Sequence, residues 1–132
     1  DGAGLDEEQQ TLRTFYRQLL RIARSEKAIT QGDMYDLTYA QGEGFNKHEH
    51  YAFIRKYKKQ TLLVVLNFDD HQTDMQVRIP QDAFEYLKLE EESLAKAEDL
   101  LTGTEYTFPL HPHTPICLTL PAWKGVILKI KG

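Results

Sequence analysis

The chain has 132 residues, the size of one globular domain, and folding at this length buries about two-thirds of the surface that the unfolded chain exposes. Its 16 Lys and Arg against 20 Asp and Glu leave a net charge of −4, so the sequence has no general attraction to phosphate backbones or anionic membranes. We therefore expect neither a nucleic-acid partner nor a membrane partner. The single cysteine, Cys117, cannot form an intramolecular disulfide, and its apolar neighbours predict a small core residue.

The sequence offers no guide to the cellular compartment. No apolar stretch approaches the roughly 18–20 residues that a membrane helix needs, and no basic-then-apolar signal pattern is present, which favours a soluble chain. The chain opens at Asp1 without a methionine, and we interpret it as part of a longer or processed protein whose signal, if any, lay upstream.

One amphipathic helix, from about residue 6 to 25, is predicted by apolar residues that recur at spacings of three and four. These residues are Leu12, Phe15, Tyr16, Leu19, Leu20 and Ala23. Asp6 can cap the start of the helix with Gln9 reaching back to it, and Gly32 marks the following turn. A basic flank beside the apolar stripe predicts a solvent-exposed face, with a docking contact as the alternative. The flank consists of Arg13, Arg17, Arg21 and Arg24.

From Met34 onward the periodicity becomes that of strands. Strands are predicted at residues 34–40, at 51–57 and, as the most apolar and most central strand, at 61–68. Residues 58–60 read as a hairpin connection that makes the last two strands antiparallel neighbours. A turn at 69–72 leads to a strand through Met75, Val77 and Ile79, which Pro80 ends.

The second half of the chain alternates between strands and loops. Ala83, Phe84 and Leu87 keep helical spacing and predict a short helix, followed by an acidic loop and by a strand or turn at residues 100–103. A strand at 105–110, a rigid loop at 111–115 and two closing strands at 116–120 and 125–130 complete the pattern. Seven or so short strands at intervals of about ten residues, after one helix, predict a mainly β, antiparallel sandwich.

Acidic residues are numerous, but their pattern predicts no catalytic pair. Hydrolysis of a glycosidic bond generally needs two carboxyl groups about 5–10 Å apart, one protonated and one ionised. For Asp69 and Asp70, which follow a strand end, we predict ordinary turn chemistry rather than catalysis. The remaining acidic cluster lies in a polar segment, where we predict a solvent-exposed, ionised surface. It consists of Glu90, Glu91, Glu92, Glu98 and Asp99.

Metal and nucleophile chemistry are also not predicted. His48 and His50, like His111 and His113, are two residues apart and could face the same way on an extended chain. Both pairs fall in predicted loops, and no Cys-x-x-Cys or His-Glu-x-x-His pattern accompanies them, so we predict no metal. The two serines and the predicted burial of Cys117 provide no nucleophile, and no phosphate-binding loop is present, so we predict no cofactor. The serines are Ser25 and Ser93.

Trp123 is the one candidate for contact with sugar that the sequence offers. A carbohydrate ring can stack on a flat apolar face, and Trp123 lies in a connection between two strands that reads as exposed. The alternative for this residue, and for most of the seven tyrosines and six phenylalanines, is a place in the core.

Several segments together resemble the end of family 13 glycoside hydrolases, the α-amylase family. Residues 12–23 (LRTFYRQLLRIA) are similar to the last helix of the family's (β/α)₈ catalytic barrel. Residues 51–57 (YAFIRKY) and 61–69 (TLLVVLNFD) are similar to the hairpin of its C-terminal domain. Residues 100–103 (LLTG) and 118–130 (LTLPAWKGVILKI) resemble the closing strands, so the resemblance covers nearly the whole chain in the expected order.

The resemblance implies that residues 1–32 are the last barrel helix and a linker. It implies that residues 33–132 are a C-terminal Greek-key β-sandwich of about seven or eight strands, which stabilises the barrel by packing against it. A (β/α)₈ barrel needs at least about 200 residues, so it cannot lie within this chain. The family's aspartate nucleophile and glutamate acid/base have no matching positions here, and we predict no catalytic residue.

The implied partners are the barrel of the parent chain and an α-glucan. A barrel helix that is separated from its barrel exposes its apolar stripe to water, which is unfavourable. We therefore predict that the helix docks on one sheet or drives self-association. The alternative function is a starch-binding module. The resemblance does not identify which α-glucan the parent attacks, nor whether it hydrolyses or transfers.

Overall fold

The computed structural model describes residues 10, 13–15, 17, 18, 21, 22 and 31–131. Each described residue between 10 and 22 is helical, and Arg13, Arg17 and Arg21 are exposed, as the spacing predicts. We refer to these residues as the helical segment. The predicted cap at Asp6 and Gln9, and the rest of the predicted stripe and flank, lie outside the described residues. No helix in the described ranges is long and apolar enough to cross a membrane.

Two antiparallel sheets form the body of the molecule. A six-stranded sheet has the order β1-β2-β3-β8-β5-β6, and a two-stranded sheet pairs β4 with β7. The bounds are β1 Asp33–Asp36, β2 His50–Tyr57, β3 Gln60–Asn67, β4 Thr73–Val77, β5 Glu92–Asp99, β6 Glu105–Leu110, β7 Ile116–Leu120 and β8 Lys124–Lys131. The chain moves to the smaller sheet at β4 and β7 and returns each time, which confirms the predicted Greek-key sandwich.

The main core lies between the two sheets, where strand residues alternate inward. Ile54, Leu63 and Leu128 of the large sheet face Met75 and Leu118 of the small one. A short helix, α1 (Gln81–Leu87), adds Ala83, Phe84 and Leu87 to this core, as their spacing predicts. It ends at Lys88, whose left-handed backbone (φ 55) stops the helix.

Strand β3 is covered on both faces. Leu63 and Val65 point into the main core, whereas Leu62, Val64 and Leu66 belong to a second apolar cluster on the opposite face of the large sheet. We call that opposite face the outer face. An uninterrupted apolar run is the pattern of a strand with both faces buried, so the prediction that this strand is central is confirmed.

The first predicted strand, residues 34–40, is too long. β1 ends at Asp36, and a 3₁₀ turn follows at Thr38–Ala40. The Asp36 side chain accepts a hydrogen bond from the Thr38 N–H (2.9 Å). This N–H group therefore bonds to a carboxylate instead of to a backbone carbonyl of a neighbouring strand.

A strand occupies residues for which the sequence predicts an acidic loop. β5 (Glu92–Asp99) buries Ala95, Ala97 and Asp99 and turns the residues between them outward. Two alanines and an aspartate carry too little apolar signal for the alternation to be recognised in the sequence.

The prediction that Cys117 is buried is wrong, because this residue is exposed. In β7, Ile116, Leu118 and Leu120 alternate inward, so Cys117 and Thr119 point away from the core. In a strand, apolar neighbours in the sequence therefore do not show that a residue's own side chain points into the core.

Candidate functional site

A cleft of about 720 Å³ lies between the helical segment and the ends of strands β6, β7 and β8. Its volume falls within the range of about 300–1,000 Å³ that is typical of ligand pockets. Trp123 lines it, together with Phe15, Asp99, Tyr106 and Gly125. Trp123, the residue that the sequence suggests for sugar binding, therefore shares this cleft with residues that the sequence did not link to it.

Trp123 occupies the turn between β7 and β8 with a left-handed backbone conformation (φ 58). Such a conformation is uncommon for a bulky residue, and it persists where the surrounding structure holds it. The side chain is half-buried rather than fully exposed, with part of its surface on the cleft. Contact of this ring with sugar stays a prediction.

The floor of the cleft is tightly packed around Gly125. A Cβ atom there would meet a Cδ atom of Leu66, would lie 2.9 Å from the Val65 carbonyl oxygen, and would come within 3.4 Å of the Phe15 ring. Phe15 itself is only 5% exposed. The absence of a side chain at residue 125 thus lets the helical segment approach the sheet closely.

The prediction that Asp99 is solvent-exposed is wrong, because this residue is only 2% exposed. Its Oδ1 accepts hydrogen bonds from the N–H groups of Leu101 (3.1 Å) and Ile127 (3.2 Å), and its Oδ2 accepts one from the Thr102 hydroxyl (3.0 Å). The carboxylate therefore anchors the turn after β5 to strand β8.

Tyr106 faces the cleft near this carboxylate. Burial raises the pKa of the Tyr106 hydroxyl, and the charge of Asp99 raises it further. Both effects disfavour the phenolate, so the ring keeps a neutral hydroxyl that can donate or accept a hydrogen bond.

The cleft does not bring a pair of acidic groups together within the part of the chain that the structure describes, where Asp99 is the only acidic residue in its lining. Glu90 and Glu91 are exposed, and Glu92 and Glu98 are half-buried, so these four agree broadly with a polar surface. Glycoside hydrolysis needs two carboxyl groups, and the oxygens of Asp99 already accept structural hydrogen bonds. That the chain lacks a catalytic residue remains a prediction.

His50 and Asp69 form a buried pair that the sequence interpretation placed in exposed loop and turn positions. Both residues are 5% exposed, and His50 begins strand β2. The His50 Nε2 lies 2.7 Å from the Asp69 Oδ2, and the Asn46 N–H donates to the His50 Nδ1 (2.9 Å). Because Nδ1 accepts a hydrogen bond, the ring hydrogen is on Nε2, which donates it to Asp69. The imidazole ring of His50 is therefore neutral.

The environment of His50 favours that neutral form. Burial lowers the pKa of His50, and the charge of His71 lowers it further. Asp69 also accepts a hydrogen bond from the Thr73 hydroxyl (3.1 Å), so the pair ties the start of β2 to the turn before β4. Both ring nitrogens are engaged within the protein, which leaves neither for a metal ion or a substrate proton.

The other sequence-level metal candidates do not converge. His48 is exposed whereas His50 is buried, and the His111 Nδ1 lies 2.9 Å from a Glu91 carboxylate oxygen. Across the described ranges, no three His, Cys, Asp or Glu side chains are placed to hold one metal ion. The expectation that the protein needs no metal is not tested by this arrangement and stays a prediction.

Sequence reasoning missed Asn67, the last residue of β3. This side chain is fully buried, and its Nδ2 group donates to the carbonyl oxygens of His71 (3.2 Å), Leu120 (3.1 Å) and Pro121 (3.1 Å). Its Oδ1 accepts from the Asp69 N–H (2.9 Å). A strand that ends in Asn before two aspartates was a usable signal for such a turn.

No protein-family model matches this chain, and no curated protein matches it significantly. Solved structures do share its fold. A variant of AmyP in complex with maltotriose matches with a TM-score of 0.59 and 15% identity, over 93% of this chain and 21% of that chain. An α-amylase from Geobacillus thermoleovorans complexed with acarbose matches with a TM-score of 0.56 and 13% identity, over 80% of this chain and 20% of that chain.

A trehalulose synthase, MutB from Pseudomonas mesoacidophila, has a TM-score of 0.53 and 25% identity, over 89% of this chain and 17% of that chain. This chain thus spans about a fifth of the length of these enzymes. A likeness at such identities concerns the fold, and a fold alone does not identify a substrate. The resemblance read from the sequence holds at that level: the chain has the β-sandwich fold of the C-terminal domain of family 13 glycoside hydrolases.

Proposed function

We propose that this chain is the non-catalytic C-terminal β-domain of an α-amylase-type glycoside hydrolase acting on α-glucans, and that it stabilises the enzyme by packing against the (β/α)₈ barrel. The observation that carries the proposal is the second apolar cluster on the outer face of the large sheet. A β-sandwich needs only one buried face in each sheet. The large sheet carries apolar side chains on both of its faces, so its outer face has apolar surface that the sandwich itself does not use.

Phe15 is buried on the outer face against Leu62, Val64, Leu66 and Ile127. The helical segment thus docks on its own chain at this position, which is one of the two arrangements that the sequence predicts. Self-association through the helix remains a proposal. Around Phe15 lies a ring of partly buried apolar residues, which are Ile22, Tyr51, Phe53, Tyr57, Phe68, Leu100 and Leu101.

That ring extends the apolar surface across β2. Tyr51 and Phe53 lie on the outer face with ring centroids 5.5 Å apart. These side chains are only partly buried, so contact with another domain would remove further apolar surface from water. The matching enzymes are about five times longer than this chain, which supports a neighbouring domain of the same polypeptide as the partner.

The test compares a Phe53→Ser variant in this chain with the same substitution in the parental polypeptide. If β2 packs against the barrel, the melting temperature should fall more in the parent, where a domain contact is lost as well as local packing. Tyr86→Ser is the matched control, because Tyr86 is an exposed aromatic residue of α1 that does not lie on the outer face. Equal losses in both proteins would contradict the packing role.

A direct assay tests the non-catalytic part of the proposal. The purified chain, free of contaminating amylase, should release no reducing sugar from soluble starch or maltodextrins. Release that persists through further purification and scales with the amount of this chain would contradict the proposal.

The alternative function, an α-glucan-binding module, is favoured by one observation, the position of Trp123 on the cleft. Affinity electrophoresis in amylopectin tests it, with Trp123→Asn as the variant because Asn tolerates a left-handed backbone. Retardation that the variant loses would support sugar binding in the cleft, and retardation that the variant keeps would exclude Trp123 from it.

A further inference from the structure

Three tyrosines that do not line the cleft form an aromatic cluster. Tyr35 lies in β1, Tyr39 in the 3₁₀ turn and Tyr86 in α1. The Tyr35 ring centroid is 6.1 Å from that of Tyr39 and 5.9 Å from that of Tyr86, with the ring planes inclined by 50° and 47°. Tyr39 is 55% exposed and Tyr86 is 61% exposed, so two of the three rings present most of their surface to solvent.

The cluster lies on the opposite side of the large sheet from Phe15. Tyr35 is directly opposite Ile54 in the β1–β2 pairing, and directly paired residues point to the same face. Ile54 belongs to the core between the two sheets, whereas Phe15 packs on the outer face. A barrel that covers the outer face would therefore leave the tyrosines accessible.

The backbone around the cluster is held in place by several hydrogen bonds. The Tyr35 and Tyr39 hydroxyls are hydrogen-bonded to each other. Between them, the Thr38 hydroxyl accepts from the Ala52 N–H (3.1 Å), and the Lys47 ammonium donates to the Tyr39 carbonyl oxygen (3.2 Å). A surface whose rings are already positioned loses little conformational freedom when a ligand binds.

The size and chemistry of the cluster suit a short stretch of sugar. A stable protein interface buries about 800 Å² on each partner, with some 20–30 residues a side, which far exceeds three side chains. A tyrosine ring offers a flat apolar face to the C–H groups of a pyranose and a hydroxyl to its oxygens. Inclined rings follow a curved chain such as an α-1,4-glucan, whereas a flat β-1,4-linked chain would match coplanar rings.

We propose that Tyr35, Tyr39 and Tyr86 form a surface platform that binds α-linked glucose chains by stacking. This inference rests on the proposed function for its choice of α-glucan, but it concerns a site other than the Trp123 cleft. Asp36 and Lys47 lie beside the platform, where their side chains hold the backbone of the 3₁₀ turn that carries Tyr39. The platform would hold a parental enzyme on its polymeric substrate without taking part in bond cleavage.

The experiment measures retardation of the full 132-residue chain in native gels that contain amylopectin, with hydroxyethylcellulose gels as the comparison. The wild-type chain should be retarded by amylopectin and not by the cellulose derivative. The Tyr39→Ala/Tyr86→Ala double variant should bind about tenfold more weakly, since it loses two stacking faces. Because both side chains are exposed, the variant should keep the wild-type circular dichroism spectrum and melting temperature.

Leu94→Ala is the matched control. Leu94 is as exposed as Tyr86, at 61%, and lies in β5, which is four strand positions from β1 in the large sheet. This control should be retarded like the wild-type chain. Tyr39→Phe should also be retarded, because it keeps the ring and removes only the hydroxyl.

Three results would overturn the platform: a wild-type chain that amylopectin does not retard, a folded double variant that binds like wild type, or equal retardation by both polymers. If the double variant is fully retarded and Trp123→Asn is not, binding is in addition assigned to the cleft. None of these results affects the Phe53→Ser comparison, so failure of the platform and failure of the packing role are distinguishable.

Discussion

Asn67 connects three segments of the chain through one side chain. Its amide group reaches the turn after β3, the carbonyl oxygen of the last β7 residue and the carbonyl oxygen of Pro121, so it fixes the position of the β7–β8 connection. That connection carries Trp123. Asn67, which is part of a segment that carries the family resemblance, thus has a physical role, because its side chain holds this end of the sandwich together.

We expect Asn67→Asp to destabilise the chain by roughly 3 kcal/mol. The substitution replaces a buried donor by a carboxylate oxygen that faces three carbonyl oxygens, and each of the three loses its hydrogen bond from residue 67. Urea unfolding measures the loss. Gln72→Glu, the same change of amide to carboxylate at an exposed position in the same turn, should change stability little. Similar losses for both variants would contradict the role of Asn67.

His50 should make the stability of the chain fall in mild acid. Its native pKa lies below the ordinary value of about 6.5, so the unfolded chain binds more protons than the native chain as the pH drops through that value. The contribution is constant above about pH 7 and is lost progressively below about pH 6.5. Protonation of Nδ1 would break the hydrogen bond that this atom accepts from the Asn46 N–H.

His71 requires a control, because its shift has the opposite sign. The Asp70 side chain raises the pKa of this exposed residue, so its contribution is present at low pH and is lost as the pH rises. The measurement is therefore made in a His71→Gln background, with and without His50→Gln, by urea unfolding between pH 5.5 and 7.5. The stability difference between these two proteins should shrink as the pH falls. A difference that does not change with pH would refute the prediction.

At the scale of elements, alternation and apolar runs were enough to predict most strands. The hairpin of β2 and β3 and the strands β6, β7 and β8 lie within one or two residues of their predicted bounds. β5 was missed because its inward positions are two alanines and an aspartate. β1 was overextended because the Asp36 side chain, rather than any apolar pattern, decides where it ends.

The candidate sites depend on packing that the sequence does not display. Trp123 could be chosen from its position between strands, but the cleft beside it needs Phe15 and Asp99, which are distant along the chain. The tyrosine platform likewise brings residues 35 and 86 together only after α1 packs beside β1. Single-sequence periodicity has no access to such distant neighbours, so these sites could be found only in the structure.

Gly125→Ala should destabilise the contact between the helical segment and β8. The new Cβ would lie 2.9 Å from the Val65 carbonyl oxygen, which is backbone and cannot rotate away, so the strands must shift. Overpacking of this kind costs about 1–3 kcal/mol. Thermal unfolding should show the loss. Gly42→Ala is the control, because nothing lies within 4 Å of its added Cβ. If Gly42→Ala cost as much, crowding at residue 125 would not be the reason.

At the scale of the molecule, the large sheet separates two kinds of surface. Its inner face builds the sandwich core and, at the β1 edge, the tyrosine cluster. Its outer face carries the helical segment and the apolar ring that we assign to a neighbouring domain. The apolar run of β3 predicted burial on both faces. It could not show that the small sheet covers one face and the helical segment around Phe15 covers the other.

Phe15→Asp tests how much the outer face contributes to the stability of the whole chain. The ring is 5% exposed on Leu62, Val64, Leu66 and Ile127, and a carboxylate there would be desolvated while the strands beneath lose their cover. We expect a loss of about 3–5 kcal/mol, measured by urea unfolding. Thr14→Asp introduces the same charge at the neighbouring exposed position and should cost little.

Analytical ultracentrifugation over a range of concentrations distinguishes docking of the helical segment on its own chain from self-association. A monomeric wild type that loses stability supports docking within the chain, and a dimer that Phe15→Asp dissociates supports self-association. A variant that changes neither stability nor oligomeric state would show that the outer face needs no cover, and the proposed packing against a barrel would lose its basis.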